Sequence, residues 1–404
     1  MKRESLPAIL IGGPPHSGKS VFSQKLKEAI KARWPRLSFY LLRANPDGEG
    51  DWFTRTDPII AQRLRQKKNF SRQFALQLRR AIETRHVPLL VDVGGKITPE
   101  QEQIAKACTH AILLSATKEG LEAWRAFAQR MGLRILAELR SDLHGEDRIH
   151  SVHPVLIADV AGLSREEANT SRSSPVIDKV AEGIVQLIAH VLIQHFNITL
   201  PRNSADISPD MLDVLARQLI EEHEQHAPYR PTINVGPQPQ AWEPHMLPAL
   251  LQSAPRGQPI SIYGVAPNWV YGALAAWTVP HPMAQFDAVL GWVQPPTLRF
   301  DDEVHPLLSV TQRPLSKNGT WLRVNFAPPY VPISAVEGAS VPDVKGGLLV
   351  LDGKLSMWMW TALVRRYMHM PRIYLYQPQV KGAVLVHSHI AGDNVGEIYR
   401  DIPL

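Results

Sequence analysis

An internal repeat constrains this chain more than any other feature. At a constant offset of 89 residues, Ile233 meets Leu322, Val235 meets Val324, Gly264 meets Gly353 and Trp269 meets Trp358. At the same offset Ala273-Leu274 meets Ala362-Leu363, and Pro282 meets Pro371. Gly291 and Gly382 correspond after two extra residues in the second copy. A module present twice in one chain carries the same apolar face twice. Packing one copy on the other as a pseudo-two-fold pair buries both faces. Each copy reads as strand, helix-like segment, strand, helix from a glycine turn, then two strands. The second copy shows this most plainly, in GGLLVLDG, SMWMWTALVRRY, RIYLYQP and KGAVLVHSH.

Composition places the repeat within the chain. Nineteen of the 34 prolines lie between Pro228 and Pro342, and seven of the ten tryptophans lie beyond residue 240. The main boundary is therefore expected near residue 230. Before it, apolar runs (Ala8–Ile11, Ser38–Leu42, Pro88–Val91, Ala111–Leu114) alternate with helical patterns (Ser20–Arg33, Arg72–Thr84, Glu119–Arg130, Ile177–His195). That alternation predicts an α/β domain, a parallel sheet with flanking helices. The expected domains are 1–196, a connector at 197–230, and two α+β, ferredoxin-like copies at 231–315 and 316–404. The connector carries a predicted helix, Met211–His223, with Ser208 or Asp210 as N-cap.

Several classes are excluded. A hydrophobic fraction of 44% is globular, not disordered. No run of 18 apolar residues predicts a membrane span. The N-terminal MKRESLPAILIGG reaches Gly12 and Gly13 before a secretory core could form. The one cysteine, Cys108, makes no internal disulfide, so a cytoplasmic setting is expected. A net charge of +6 is too small to demonstrate a nucleic-acid partner.

Gly13-Pro14-Pro15-His16-Ser17-Gly18-Lys19-Ser20 fits G-x-x-x-x-G-K-[ST], after the apolar run AILI and before an amphipathic helix. Such a loop turns backbone amides onto phosphate oxygens, next to the positive end of a helix. Gly13, Pro14, His16, Ser17, Gly18, Lys19 and Ser20 are the candidate ATP-binding residues. Lys19 would reach the β and γ phosphates, and the Ser20 hydroxyl would ligate Mg2+. Asp92, ending the run Pro88–Val91, is the second candidate Mg2+ ligand. The loop Asn45–Asp51 offers three further carboxylates for a second metal or an acceptor. Arg125, Arg134 and Arg140 are candidates to steady phosphoryl charge. This half resembles P-loop NTPases, including AAA-like and small kinase-like members, over roughly residues 7–195.

The repeated half has its own resemblance. The quoted features are a strand ending Gly353-Lys354, a tryptophan in the next helix (Trp358), an aromatic–histidine stretch from Tyr367 to Pro371, and a strand ending Ser388-His389. These resemble the third (Csx-three type) family of ring nucleases associated with type III CRISPR systems. The first copy resembles it less closely, keeping Gly264, Pro267, Trp269, Pro282, Asp287, Leu290 and Gly291. The resemblance covers about 170 residues as two copies, and fusion to a P-loop domain occurs in the family. It implies cleavage of cyclic oligoadenylate, the tetra-adenylate above all, to switch off antiviral signalling, with Mn2+ as activator and a homo-oligomer as the working form.

The family pattern does not carry over intact. Its histidine falls at Met368 with His369 beside it, its aspartate at Gln377, and its arginine at Gln379. The first copy keeps the aspartate as Asp287, with a histidine displaced to His281. The candidate catalytic residues are therefore His281, Asp287 and His369. The candidate cyclic-oligoadenylate contacts are Gly264, Gly353, Lys354, Ser388 and His389. Each also has an ordinary reading: a turn for His281, His369 and Asp287, and a core anchor for Trp269 and Trp358. His387 and His389 share one strand face but make only a two-ligand metal signal. Two other functions stay open. One is a P-loop kinase of a small molecule or nucleotide. The other is a non-catalytic cyclic-nucleotide sensor that gates an ATPase.

Overall fold

The computed structural model describes residues 6–44, 72–164, 174–199, 207–236, 241–315, 318–327 and 331–402. The chain divides into two units, residues 1–222 with 288–291 and residues 223–287 with 292–404. It is a mixed α/β protein with parallel sheets and flanking helices, compatible with a Rossmann- or P-loop-like fold. No helix among the described residues is long and apolar enough to cross a membrane.

The first unit is built on β1 (Ala8–Gly12), β2 (Tyr40–Ala44), β3 (Leu89–Val93), β4 (His110–Ser115), β5 (Arg134–Asp142), β6 (Arg148–Ser151) and β7 (Leu156–Ala161). Their order is β2-β3-β1-β4-β5-β7-β6, and only β6 runs antiparallel to its neighbour. β1, β3 and β4 are buried at every residue, as strands covered on both faces must be. The covering helices are α1 (Lys19–Arg33), α2 (Arg72–Glu83), α3 (Pro99–Ala105), α4 (Lys118–Arg130) and α5 (Pro175–His195). Thr98, Thr117 and Ser174 start the last three by accepting a hydrogen bond from the amide three residues on. In α5 the buried pairs Val176-Ile177, Val180-Ala181, Ile184-Val185 and Ile188-Ala189 recur every four residues, and this stripe joins the α1 side of the core.

The helix expected in a connector is α6 (Pro209–Gln225), and it belongs to the first unit's core. Ser208 caps it: the Met211 amide donates to Ser208 Oγ at 3.3 Å. Leu212, Leu215, Ala216 and Leu219 are buried, and Trp34 Nε1 donates to the Leu212 carbonyl at 2.9 Å. Its apolar stripe is thus the helix's docking face. Residues 200–206 lie outside the described residues.

In the second unit the first copy contributes β8 (Thr232–Asn234), α7 (Leu247–Ser253), β9 (Ile260–Tyr263), α8 (Asn268–Thr278), β10 (Met283–Asp287) and β11 (Gly291–Val293), with strand order β11-β10-β9-β8. Next come β12 (Arg299–Phe300), β13 (Leu308–Leu315), β14 (Gly319–Phe326) and β15 (Ser340–Val341). The chain ends with β16 (Leu348–Asp352), α9 (Met357–Arg366), β17 (Arg372–Gln377), β18 (Gly382–Ser388) and β19 (Ile398–Tyr399). β12 pairs with β15, and the remaining strands form a sheet ordered β13-β14-β16-β17-β18-β19. The repeat therefore aligns strand for strand, β8-β9-β10 with β14-β16-β17.

Both triplets are parallel, which corrects the ferredoxin-like expectation of an antiparallel sheet. The cause is the connections. Long connections, the first carrying α7, separate β8 from β9 and β14 from β16, and α8 and α9 lead into the next parallel strand of each copy. α8 and α9 lie together in one apolar core drawn from both copies. A Cβ at Gly272 would stand 2.6 Å from Leu375, so the first copy's helix meets the second copy's strand closely. Thr361 Oγ1 donates to Gln285 Oε1 at 2.8 Å, a buried polar tie between the copies. Trp269 and Trp358 are buried at matching positions, and Trp358 packs on Phe326 with ring centres 5.5 Å apart.

Candidate functional site

In a parallel sheet, ligands meet the crevice beyond the carboxyl ends of the strands, where the connections leave in opposite directions. In the first unit that point falls at β1 and β3, because β1 connects towards β2 and β3 connects towards β4. The loop Gly13–Ser20 leaves β1 there. A Cβ at Gly13 would stand 1.8 Å from the Leu114 carbonyl oxygen, so only glycine fits. Gly18 adopts φ 79° and starts α1 with no side-chain cap, which leaves the first-turn amides open to a ligand.

Lys19 Nζ folds back over this loop. It donates to the Gly13 carbonyl at 2.8 Å and the Pro14 carbonyl at 2.7 Å. Ser17 Oγ also donates to the Pro14 carbonyl, at 2.9 Å. Burial lowers the Lys19 pKa to about 8, against a smaller upward pull from Asp92. His16 is exposed, with φ 64°, and Ser20 is half-buried. Loop, Asp92 and Ser20 line one cavity of about 310 Å³.

A further residue lines that cavity. Arg43, on β2, is held beside Asp92 by the parallel β2–β3 register, and Nη1 donates to Asp92 Oδ2 at 2.7 Å. Both side chains are buried, at 10% and 7% exposure. Arg43 Nε and Nη2 are buried without a hydrogen-bond partner among the described residues. Buried donors of this kind need an acceptor, and none of the described residues supplies one. Nothing in the linear motif marks Arg43. Only the pairing of two strand ends, LLR and LLVD, points to it.

The other cations do not gather here. Arg125 makes a two-pronged bond to Glu138, and Arg140 makes one to Asp159 at 2.8 and 2.9 Å. Arg134 is exposed at the start of β5. The loop Asn45–Asp51 lies outside the described residues. Ser20 and Asp92 are hard oxygen ligands facing the cavity, a donor set that suits a magnesium ion shared with phosphate oxygens. Among the described residues no group of three His, Cys, Asp or Glu side chains makes an all-protein metal site.

In the second unit the glycines sit at the carboxyl ends of parallel strands. A Cβ at Gly264 would stand 2.2 Å from the Gly236 carbonyl oxygen, and one at Gly353 would stand 1.8 Å from the Val324 carbonyl oxygen. Asp287 ends β10 at the same edge. Tyr271 donates to the Gly264 carbonyl at 2.7 Å, and its hydroxyl pKa is raised, first by burial and then by the Asp287 charge. In the second copy the Lys354 side chain is exposed, and its amide donates to Asn325 Oδ1 at 2.8 Å. Gln377, at the end of β17, donates to Gln379.

The histidines lie at the opposite edge. His281 precedes β10 and Asp287 closes it, six residues or about 20 Å of extended chain apart. His281 is held by its backbone: its amide donates to Thr278 O at 2.7 Å and its carbonyl accepts from Arg365 at 2.9 Å. His369 precedes β17. Its Nε2 lies 3.2 Å from the Val344 carbonyl and 3.6 Å from Asp343 Oδ1, and its ring meets Phe300 edge-on. Ser388 pairs with Arg372 across β17–β18, which puts Ser388 and His389 at this same edge. Ser388 Oγ donates to Asp393 at 2.6 Å, and His389 Nε2 lies 2.8 Å from the Met368 carbonyl. His387 and His389 face each other at 3.1 Å, with no third ligand of those types among the described residues. Gly264, Gly353, Lys354 and Asp287 thus form one set. His281, His369, Ser388 and His389 form another, and neither sheet brings the two together.

No curated protein matches the chain. A family model described as CRISPR-associated protein (Cas_csx3) matches residues 329–400, the part of the second copy that follows β14. The C-terminal region is therefore similar to a CRISPR-associated family, over a stretch that runs from just before β15 through β19.

Proposed function

We propose that the chain is a type III CRISPR ancillary enzyme with an ATP-binding P-loop domain in its first unit and a ring nuclease in its second. The observation that supports it best is the cavity at the end of β1 and β3, where Lys19, Ser20, Asp92 and Arg43 converge beside an uncapped helix start. Lys19 is pre-bent onto its own loop carbonyls, and a triphosphate displaces those contacts. Arg43 Nε and Nη2 would donate to oxygens of the terminal phosphate, while Arg43 Nη1 holds the Asp92 carboxylate at the cavity. Magnesium would neutralise phosphate charge between Ser20 and Asp92.

For the second unit the reading rests on the match at 329–400 and on the paired glycine edges. The substrate is cyclic oligoadenylate, and the reaction needs no external nucleophile. An imidazole removes the 2′-hydroxyl proton, that oxygen bonds to phosphorus, and the P–O5′ bond breaks. The 5′ oxygen takes up a proton and a 2′,3′-cyclic phosphate remains. Gly264, Gly353 and Lys354 provide the phosphate-orienting face, and Asp287 would hold a metal ion or the imidazole there. His281 or His369 comes from a second molecule, because the two sets occupy opposite sheet edges. Mn2+ would add charge stabilisation on the phosphate.

The test is incubation of full-length protein with cyclic tetra-adenylate and Mn2+, with and without ATP. Linear or shortened products are expected. Intact substrate after prolonged incubation ends the cleavage reading. Gln377 and Met368 favour a second reading, a sensor that binds the ring and alters ATP turnover. Tight binding without cleavage, with changed ATP hydrolysis, selects it. A P-loop kinase is the third, tested by transfer of label from ATP to an acceptor instead of release of free phosphate.

A further inference from the structure

The second unit holds another cavity, of about 310 Å³, which none of the residues above explains. Its apolar walls include Pro282, Pro295, Pro296 and Leu298, and its base is Arg365 and Arg366 near the end of α9. No carboxylate lines it. Arg365 spends its guanidinium on neutral acceptors, the Ala275 carbonyl at 3.2 Å, Thr278 Oγ1 at 2.9 Å and the His281 carbonyl at 2.9 Å. Arg366 lies flat over Phe300, 3.6 Å from the ring centre, and its Nε is buried without a partner among the described residues. Neither arginine has an ion pair among the described residues. Asp343 is engaged with His369, and Glu337 accepts from the Thr297 amide at 3.1 Å.

Two half-buried cations without a counter-charge are costly unless an anion joins them. Guanidinium groups match the oxygens of a phosphate in a fork. The volume lies at the lower end of small-molecule sites. The flat apolar walls suit a ring, and Gln294 and Thr297, both exposed at the mouth, supply donors and acceptors for a polar edge. We infer that this cavity binds a nucleoside monophosphate, with the phosphate on Arg366 and Arg365 and the base between the proline walls. The site is independent of the ATP-binding cavity and of the cleavage reading.

Isothermal titration of the full-length chain with AMP tests it. The expected result is one class of AMP site that survives Lys19→Ala, which removes the first-unit cavity as a competitor. Arg366→Gln should weaken that site at least 10-fold. Thr297→Glu, an exposed change that leaves the Arg366–Phe300 stack intact, should do the same by placing a carboxylate at the mouth. Adenosine should bind at least 10-fold more weakly than AMP. The inference is overturned if AMP does not bind, if Lys19→Ala alone removes binding, or if adenosine binds as well as AMP. It is equally overturned if both cavity variants bind like wild type. Failure of ATP binding or ring opening leaves this measurement unaffected, so the readings fail separately.

Discussion

At Gly264 the first copy presses its turn onto the Gly236 carbonyl, and at Gly353 the second presses its turn onto the Val324 carbonyl. The backbone demand is the same in both. One residue earlier the side chains differ completely. The second copy has Asp352, buried and bonded to Arg323, Trp321 Nε1 and the Gly353 amide. The first copy has Tyr263 at the matching position, with His223 Nδ1 2.9 Å from its hydroxyl. At the strand ends Asp287 stands against Gln377. Duplication kept the turn geometry and released the chemistry, so the strand-end acid Asp287 remains in the first copy and Lys354 follows the turn in the second.

The largest expected effects test the shared backbone. Gly353→Ala places a Cβ 1.8 Å from a backbone oxygen at φ 143°, and Gly264→Ala places one at 2.2 Å and φ 120°. Each should cost about 3 kcal/mol or more in urea unfolding, Gly353→Ala the more. Losses under about 1 kcal/mol would show that the turns are not what the copies conserve.

Next come the diverged supports. Arg323→Ala leaves the Asp352 carboxylate buried without its cation and should cost about 3 kcal/mol. His223→Ala removes the imidazole that meets the Tyr263 hydroxyl and should cost about 1 kcal/mol. Equal losses would mean that the ion pair at Asp352 and the hydrogen bond at Tyr263 do the same job, contrary to the contrast between the copies.

How much of this was readable beforehand follows from where each signal lives. The loop Gly13–Ser20 is contiguous, and its strand–turn–helix setting is local, so pattern alone places it. The repeat is legible because a constant offset preserves identities. The parallel order is not, since it depends on the path of the long connections from β8 to β9 and from β14 to β16, which the strand pattern does not state. Arg43 escapes notice because its link to Asp92 is a sheet register spanning 49 residues. That His281 and Asp287 lie at opposite ends of β10 follows from strand length, which the residue types alone do not state.

The chemical asymmetry between the copies gives the third prediction. With cyclic tetra-adenylate as substrate, Asp287→Asn should lower cleavage about 100-fold, the scale of one catalytic group. Gln377→Asp, which restores an acid to the second copy, should raise it. Unchanged turnover in Asp287→Asn would remove the first copy from the chemistry, whatever the second does.

The smallest effect separates the copies by acid sensitivity. His387 and His389 occur only in the second copy; their counterparts by the repeat are Pro296 and Leu298. Burial, then the neighbouring His389, lowers the His387 pKa to about 4, against 6.5 in an unfolded chain. Between those values the unfolded chain binds more protons than the folded one. The stability contributed by neutral His387 is therefore complete above pH 6.5 and is lost as pH falls towards 4. After allowance for partial solvent screening, the loss should be about 1 kcal/mol. Urea unfolding followed from pH 7 to pH 4.5 measures it. His387→Gln should flatten that slope, and a variant that keeps the full slope would place the acid sensitivity elsewhere in the molecule.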